Sequence, residues 1–211
     1  MVRREITDYK SEIMMRKLNG IGTFFIAVVF FMACSESTRL AESELYPAVP
    51  AHAEVVPYDD GSGLVRVTEY AVDGVILMQG DYLNNLREGV FTEFYKSGLV
   101  KSSCGYVGGL KQGQEILYGD RGTVDQRSTY HQGVLNGPLV IYNRNRIKEK
   151  RNYVDGELHG QLQKFYNNGI IMESTNYVNG QLDGVANWYD QQGNMTIEYR
   201  YKNGELIKDD E

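Results

Sequence analysis

The residues from Tyr153 to Gly180 read YVDGELHGQLQKFYNNGIIMESTNYVNG and contain one complete unit of a repeat together with the start of the next. Asp155-Gly156 and Asn179-Gly180 are pairs that accept positive φ at both positions, as a type I′ hairpin turn requires. Between them lie two runs of residues suited to a pleated surface, separated by Asn167-Asn168-Gly169. The stretch therefore predicts a β-hairpin whose ends continue directly into further hairpins.

The unit recurs along most of the chain, and its period is visible in the tyrosines. Six of them are spaced by 23 or 24 residues: Tyr82, Tyr106, Tyr130, Tyr153, Tyr177 and Tyr201. A glycine follows each of the first five after seven residues: Gly89, Gly113, Gly137, Gly160 and Gly184. A fixed period of this size indicates a repeat array, and glycine at such positions suits a tight turn or a β-bulge. One unit buries too little apolar surface to fold alone, so we expect the units to stack on one another.

Alternation along the strands predicts which side chains share a face of the sheet. Six residues before each later tyrosine stands an aliphatic residue, and this even offset predicts that it lies on the tyrosine's face. These residues are Val100, Val124, Ile147, Ile171 and Met195. Phe94, Phe165 and Trp188 each precede a tyrosine on the shorter strands and are predicted to point the other way, as candidate binding aromatics. Aromatic residues on both faces predict a thin, twisted sheet.

The repeat resembles the variant MORN repeat (membrane occupation and recognition nexus). The resemblance rests on Y-x-[DN]-G-x-L-x-G, an aromatic pair such as Phe165-Tyr166, an N-G turn and a strand that ends at the next tyrosine. It covers about residues 70–207, with Asn85, Asn145 and Lys208 where glycine is expected. The resemblance implies an all-β fold, an elongated antiparallel β-meander of stacked hairpins over residues 64–207. Bacterial proteins of this type often carry the label of a toxin–antitoxin system antitoxin.

The N-terminal segment has the features of an export signal. Residues 22–33 contain no charge over 12 positions and follow Arg16-Lys17. This run is too short for a bilayer, which needs about 20 residues, but it has the length of a signal-peptide h-region. Met14 or Met15 is the expected start of translation, since residues 1–13 are charged and match nothing that follows.

The end of this segment, Phe31-Met32-Ala33-Cys34, resembles the lipobox of bacterial lipoproteins. The resemblance implies removal of residues 1–33 and lipidation of Cys34, so that acyl chains tie the protein to a membrane without spanning it. An ordinary secretory peptide with a chance cysteine is the alternative. We expect the mature protein in the cell envelope, as an outer-membrane lipoprotein that faces the periplasm or the cell surface.

Charge argues against a nucleic-acid partner. The chain has 22 basic and 28 acidic residues, a net charge of -6, whereas nucleic-acid affinity rests on clustered Lys and Arg. One local basic run is interpreted as a solvated strand in preference to a docking patch: Arg144, Arg146, Lys148, Lys150 and Arg151. Residues 34–63 hold three of the four prolines and are predicted to be a flexible linker behind the lipidated cysteine. Residues 208–211 form an acidic tail.

No arrangement of residues predicts catalysis. The sequence contains no Ser/His/Asp order, phosphate-binding loop or paired catalytic carboxylates. With Cys34 lipidated, Cys104 has no disulfide partner, and its place two residues before Tyr106 predicts a small buried side chain. The histidines lack the spacing of zinc ligands: His52, His131 and His159. We therefore expect no enzyme, no metal site and no cofactor.

Three functional hypotheses remain. The first is a lipid-anchored scaffold that binds a protein partner through exposed aromatic residues. The second is a module that binds an envelope glycan, peptidoglycan or polysaccharide, although the chain has a single Trp and a longer period than aromatic cell-wall-binding repeats. The third is an antitoxin-like partner of a toxin.

Overall fold

The computed structural model describes residues 48–208, and in this range the chain consists of β-strands and turns without any helix. The strands are β1 (Glu54–Pro57), β2 (Val65–Tyr70), β3 (Ile76–Leu83), β4 (Leu86–Phe94), β5 (Val100–Val107), β6 (Leu110–Tyr118), β7 (Val124–His131), β8 (Val134–Leu135), β9 (Gly137–Asn143), β10 (Arg146–Val154), β11 (Glu157–Leu158), β12 (Gly160–Phe165), β13 (Ile171–Val178), β14 (Gln181–Tyr189), β15 (Met195–Lys202) and β16 (Glu205–Leu206). A helix able to cross a bilayer is accordingly absent from these residues. The all-β prediction is confirmed.

All 16 strands belong to one open antiparallel sheet. Its order follows the chain from β1 to β7, then β9, β10 and β12 to β16, while the short strands β8 and β11 pair with β7 and β10. Apart from β9 and β12, which pair with β7 and β10, each strand thus pairs with the one before it in the chain, as antiparallel pairing allows. This is the antiparallel β-meander of stacked hairpins that the repeat predicts.

The two-residue turns have the left-handed backbone expected of type I′ hairpins. Both central residues have positive φ in each of them: Asn84-Asn85, Gly108-Gly109, Gln132-Gly133, Arg144-Asn145, Asp155-Gly156, Asn179-Gly180 and Asn203-Gly204. Turns of this hand match the right-handed twist of the flanking strands. Most of these positions hold Gly, Asn or Asp because those residues adopt positive φ at low cost.

The turns that follow β2, β4, β6, β12 and β14 are longer, and each is built around a single glycine of positive φ. After β4, the Tyr95 N–H donates to the Leu99 carbonyl and the Gly98 N–H donates to the Tyr95 carbonyl, both at 2.8 Å, and Gly98 has a φ of 83°. The same glycine position recurs at Gly74, Gly122, Gly169 and Gly193. Between β9 and β10 a two-residue turn takes its place, which shortens that unit by one residue. This explains why one tyrosine spacing is 23 and the others are 24.

A β-bulge in every unit interrupts the alternation of faces. Glu93 pairs with Ser102 but Phe94 pairs with Val100, so Lys101 is an extra residue in β5. Val100 therefore lies with Phe94, on the face opposite Tyr106, and the prediction that it shares the tyrosine's face is wrong. The reason is that an inserted residue resets the two-residue period. The same shift moves the other four members of that column: Val124, Ile147, Ile171 and Met195.

Burial is concentrated on the face that carries Tyr82, Tyr106, Tyr130, Tyr153, Tyr177 and Tyr201, which we call the tyrosine face. The buried residues of its central row are Val67, Phe91, Cys104, Glu115, Ser128, Leu139, Leu162, Thr175 and Ala186. The other face, which we call the polar face, has a central row of Thr92, Ser103, Ile116, Arg127, Val140, Lys150, Gln163, Ser174, Asn187 and Glu198. One face is therefore a core and the other is largely solvated.

The most compact part of the core lies at the N-terminal end of the sheet. Val67, Met78, Tyr82 and Phe91 form one cluster, and Val49 and Ala53 pack against it from the segment before β1. The Tyr82 and Phe91 rings meet edge to face, with centroids 5.2 Å apart, an arrangement that aromatic pairs favour.

The sheet begins earlier than the sequence predicts. β1 lies inside residues 34–63, the predicted linker, and Val55 of this strand pairs with Val67 of β2. Two adjacent β-branched residues, Val55 and Val56, suit a strand, and Pro57 is tolerated because it ends an edge strand. The predicted signal peptide, Cys34 and residues 209–211 of the predicted tail lie outside the described residues.

Candidate binding surfaces

On the tyrosine face, each tyrosine after the first stands opposite a glycine of the preceding strand. The pairs are Tyr106 with Gly89, Tyr130 with Gly113, Tyr153 with Gly137, Tyr177 with Gly160 and Tyr201 with Gly184. All five glycines have positive φ, from 72° to 114°, a conformation in which a side chain is strained. These glycines therefore set the backbone geometry of the repeat.

A cavity of about 680 Å³ opens on the tyrosine face between β4 and β7. The Arg87 guanidinium lies 4.6 Å from the centre of the Phe91 ring and 5.2 Å from that of Tyr106, and its Nη1 donates to the Tyr106 hydroxyl at 3.2 Å. Lys111 forms an ion pair of 2.5 Å with the buried Glu115. Arg87 is thus held by the Phe91 and Tyr106 rings, and Lys111 is held by the Glu115 carboxylate.

The Cys104 thiol lies in the wall of this cavity and is 5% exposed. Burial raises its pKa to about 11, and the nearby Glu115 carboxylate acts in the same direction. A thiol is nucleophilic only as the thiolate, so Cys104 stays in its unreactive protonated form at neutral pH. Its place in the buried central row matches the expectation of a small buried side chain.

The histidines do not converge. Nδ1 of His131, at the end of β7, accepts a hydrogen bond of 3.2 Å from the Gln112 amide nitrogen, while His52 precedes β1 and His159 precedes β12. Within residues 48–208, no three His, Cys, Asp or Glu side chains are arranged to hold a metal ion.

The three candidate binding aromatics lie on two different faces. Phe94 pairs with Val100 and Phe165 with Ile171, on the polar face. Trp188 instead pairs with Ile197, on the tyrosine face. The difference can be read from the sequence, because Phe94 stands five residues after its repeat glycine whereas Trp188 stands four after Gly184.

The C-terminal end of the sheet exposes apolar side chains that sequence reasoning missed. Ile197 is 45% exposed and Tyr199 is 46% exposed, although both lie on the tyrosine face of β15. The Tyr199 ring meets Trp188 edge to face at 5.8 Å. β16 covers only Tyr201 and Lys202 of this strand. We call this surface the terminal edge, defined by Trp188, Ile197, Tyr199 and the free side of β15.

A signal for the terminal edge was present in the repeat alignment. The leading tyrosines are those that recur every 23 or 24 residues, from Tyr82 to Tyr201. The position two residues before them holds Gly80, Cys104, Ser128, Arg151 and Thr175 in the first five units. The last unit has Tyr199 there. An aromatic ring at a position that holds none in the other units indicates that nothing packs over it as it does in the interior of the array.

Comparison with known proteins does not assign the chain to a family. No protein-family model matches the sequence, and no curated protein matches it. Among solved structures, the crystal structure of the GtfA/B complex bound to UDP and GlcNAc shares 14% identity over 72% of this chain and 24% of that chain, with a TM-score of 0.22. The match therefore spans about a quarter of that protein's length, and a superposition this poor supports no argument about fold or function.

Proposed function

We propose that this protein is a non-catalytic scaffold of the cell envelope, anchored by a lipid on Cys34, that binds a protein partner through its terminal edge. The observation that carries the proposal is the exposure of Ile197 and Tyr199 on the face that is buried elsewhere in the sheet. Tyr199 contacts the partly buried Trp188, and Tyr and Trp side chains are enriched at the centres of protein interfaces.

The backbone of the terminal edge supports the same proposal. The Arg200 carbonyl accepts a hydrogen bond from the Ile207 N–H, so it points to the side of β15 away from β14. Peptide groups two residues apart face the same side of a strand, and those of Glu198 have no backbone partner on that side among residues 48–208. An edge of this kind can accept an added strand from a partner.

The resemblance to variant MORN repeats and to lipoprotein signals completes the proposal. A diacyl or triacyl cysteine anchors stably because more than one chain is buried in the membrane. The antitoxin label of the family is not needed for this role.

Site-specific photo-crosslinking tests the proposal in cells that produce the protein. A crosslinking amino acid at Tyr199 should give a discrete protein adduct. The same amino acid at Val90, which is 63% exposed on the polar face, should give none. Equal adducts at both positions, or none at Tyr199, would contradict binding through the terminal edge.

Acyl labelling tests the anchor separately. We expect the wild-type chain to incorporate a fatty-acid analogue and to sediment with membranes, and the Cys34→Ala variant to do neither. Label-free soluble protein in both cases would remove the anchor from the proposal, whereas loss of label in the variant alone would exclude a cytosolic antitoxin.

A further inference from the structure

The middle of the polar face carries two cations without counter-ions. Arg127 and Lys150 are both exposed, and no described carboxylate lies within ion-pair distance of either. Arg127 has Ile116 and Val140 as its cross-strand neighbours. Lys150 pairs with Val140 and Gln163. In a chain with a net charge of -6, this is a local surface that favours anions.

Each of these cations stands beside an aromatic ring of the next strand in the sheet. The Arg127 guanidinium lies 5.9 Å from the centre of the Tyr142 ring, and the Lys150 ammonium lies 5.6 Å from that of Phe165. The second pair follows the first by one repeat, 23 residues along the chain. Two strand steps separate Arg127 from Lys150, a distance of about 10 Å. The polar face therefore contains two copies of the same pair of a cation and an aromatic ring, two strands apart.

Of the acidic residues of these strands, only Asp125 lies near the rings. It occupies the bulge of β7 and lines both the cavity of the tyrosine face and a pocket that Tyr142 also lines, whereas Glu149 pairs with Arg151 on the tyrosine face at 2.5 Å. Glu157 lies beside the two-residue turn, at the far end of β10 from the rings. Two further cations, Arg144 and Lys148, line a pocket with Tyr142. The neutral polar residues around the two pairs are Gln114, Thr129, Asn152, Gln161, Gln163 and Ser174.

This combination fits an acidic polysaccharide better than a nucleic acid. Amides and hydroxyls both donate and accept hydrogen bonds, as sugar hydroxyls do, and ring faces can cover the apolar side of a sugar. A nucleic-acid strand carries a charge about every 3.4 Å and is bound by dense clusters of Lys and Arg. Two cations about 10 Å apart match a sparser charge, such as one carboxylate in each disaccharide of an extended chain.

We propose that the polar face from β7 to β12 binds an extended polysaccharide that carries a carboxylate on alternate sugars. The carboxylates bind Arg127 and Lys150, and the sugar rings lie against Tyr142 and Phe165. This site is on the face away from the terminal edge, and it does not depend on the protein partner proposed above.

Binding of hyaluronan oligosaccharides to the full chain, measured by calorimetry, tests the proposal because hyaluronan has one carboxylate in each disaccharide. We expect the double variant Arg127→Gln and Lys150→Gln to bind about tenfold more weakly or worse, since two charge-assisted contacts are lost. The matched control is Lys96→Gln with Lys101→Gln, which removes the same charge from exposed positions beside the turn between β4 and β5, outside the proposed site. Its affinity should stay within about twofold of wild type.

Two further comparisons separate charge from stacking. Replacing Tyr142 and Phe165 by Leu keeps the surface apolar and should also weaken binding, and the methyl ester of hyaluronan should bind no better than the charge-removed variant. Equal weakening in the control variant, undiminished binding of the methyl ester, or tighter binding of single-stranded DNA or polyphosphate than of hyaluronan would overturn the proposal. Because Arg127 and Lys150 are exposed, their removal should leave the unfolding transition unchanged.

Discussion

The two ends of the sheet are built from the same repeat but differ in what covers them. At the N-terminal end, Met78 is 6% exposed and packs in the cluster with Tyr82 and Phe91. At the C-terminal end, Ile197 occupies the same place four residues before the leading tyrosine, yet it is 45% exposed. The side-chain type therefore does not decide burial at this position. What decides it is whether further chain packs over the end of the array.

The difference in exposure between Met78 and Ile197 shows how a single-layer sheet obtains a core. At the N-terminal end, Val49 and Ala53 of the segment before β1 pack against the cluster, and β1 pairs with the edge of β2. At the C-terminal end, the next strand stops after Glu205 and Leu206. An array of this kind needs terminal segments to protect its apolar face, and only one of its ends has such protection within residues 48–208.

The largest effect should come from removing the ring at the centre of the N-terminal cluster. Phe91 is 3% exposed, so Phe91→Ala should lower the free energy of unfolding by about 3–5 kcal/mol. Tyr199→Ala at the terminal edge should cost about 1 kcal/mol or less, because that ring is half exposed. Urea unfolding of both variants measures the contrast. Equal losses would show that the two ends are equally packed.

A smaller effect should follow from adding a methyl group to the same cluster. A Cβ at Gly80 would lie 2.6 Å from the Phe91 ring, and Tyr82 and Tyr106 hold that ring in place. We expect Gly80→Ala to cost about 1–3 kcal/mol from overpacking. In a Phe91→Ala background the cost should shrink, which a double-mutant cycle measures. An unchanged cost in that background would assign the effect to the backbone.

The pH dependence of stability provides a third test of the buried row. The pKa of the Cys104 thiol is raised from 9.0 to about 11, mainly by burial, so the folded chain favours the protonated thiol. This contribution is fully present below pH 9 and is lost as the pH rises toward 11, amounting to about 2 kcal/mol. The contribution is measured by comparing the free energies of unfolding of Cys34→Ala and of Cys34→Ala with Cys104→Ala, at pH 8 and at pH 11. Replacing Cys34 in both leaves Cys104 as the one thiol that differs between them. A difference between them that does not change with pH would contradict the assignment.

The smallest effect concerns two turns with the same geometry at different places in the array. Gly180 and Gly204 have φ of 78° and 84°, and neither has an atom within 4 Å of an added Cβ. Gly180→Ala should cost about 1–2 kcal/mol because it strains a turn between two long strands. Gly204→Ala should cost a few tenths of a kcal/mol, because only the two-residue β16 depends on it. Thermal unfolding of both variants measures the two losses, and a larger loss for Gly204→Ala than for Gly180→Ala would contradict the prediction.

Much of the fold could be predicted because its determinants are local. Pairs such as Asn179-Gly180 specify type I′ turns directly, and a period of 23 or 24 residues specifies stacking of like units. The leading tyrosines and the glycines opposite them, such as Tyr130 and Gly113, follow from the same register.

The parts that could not be predicted depend on non-local geometry. The extra residue of each bulge, such as Lys101, becomes visible only when the partner strand is known, and it moves Val100 to the other face. The pairing of β1 depends on contact with β2, which no local pattern specifies. The repeat alignment marks Tyr199 as unusual, but its contact with Trp188 requires the cross-strand register. The pairs Arg127–Tyr142 and Lys150–Phe165 could not be found without that register, because their partners are 15 residues apart in sequence.

The meander order also determines how the sheet responds to tension. Because the strands are hydrogen-bonded in an order that follows the chain, a pull between β1 and β15 loads all the strand ladders in series, and the weakest opens first. Each unit of 24 residues that is released adds about 80 Å of extended chain. A sheet held at one end and gripped at the other would thus lengthen in equal steps and shorten again as its hairpins re-form.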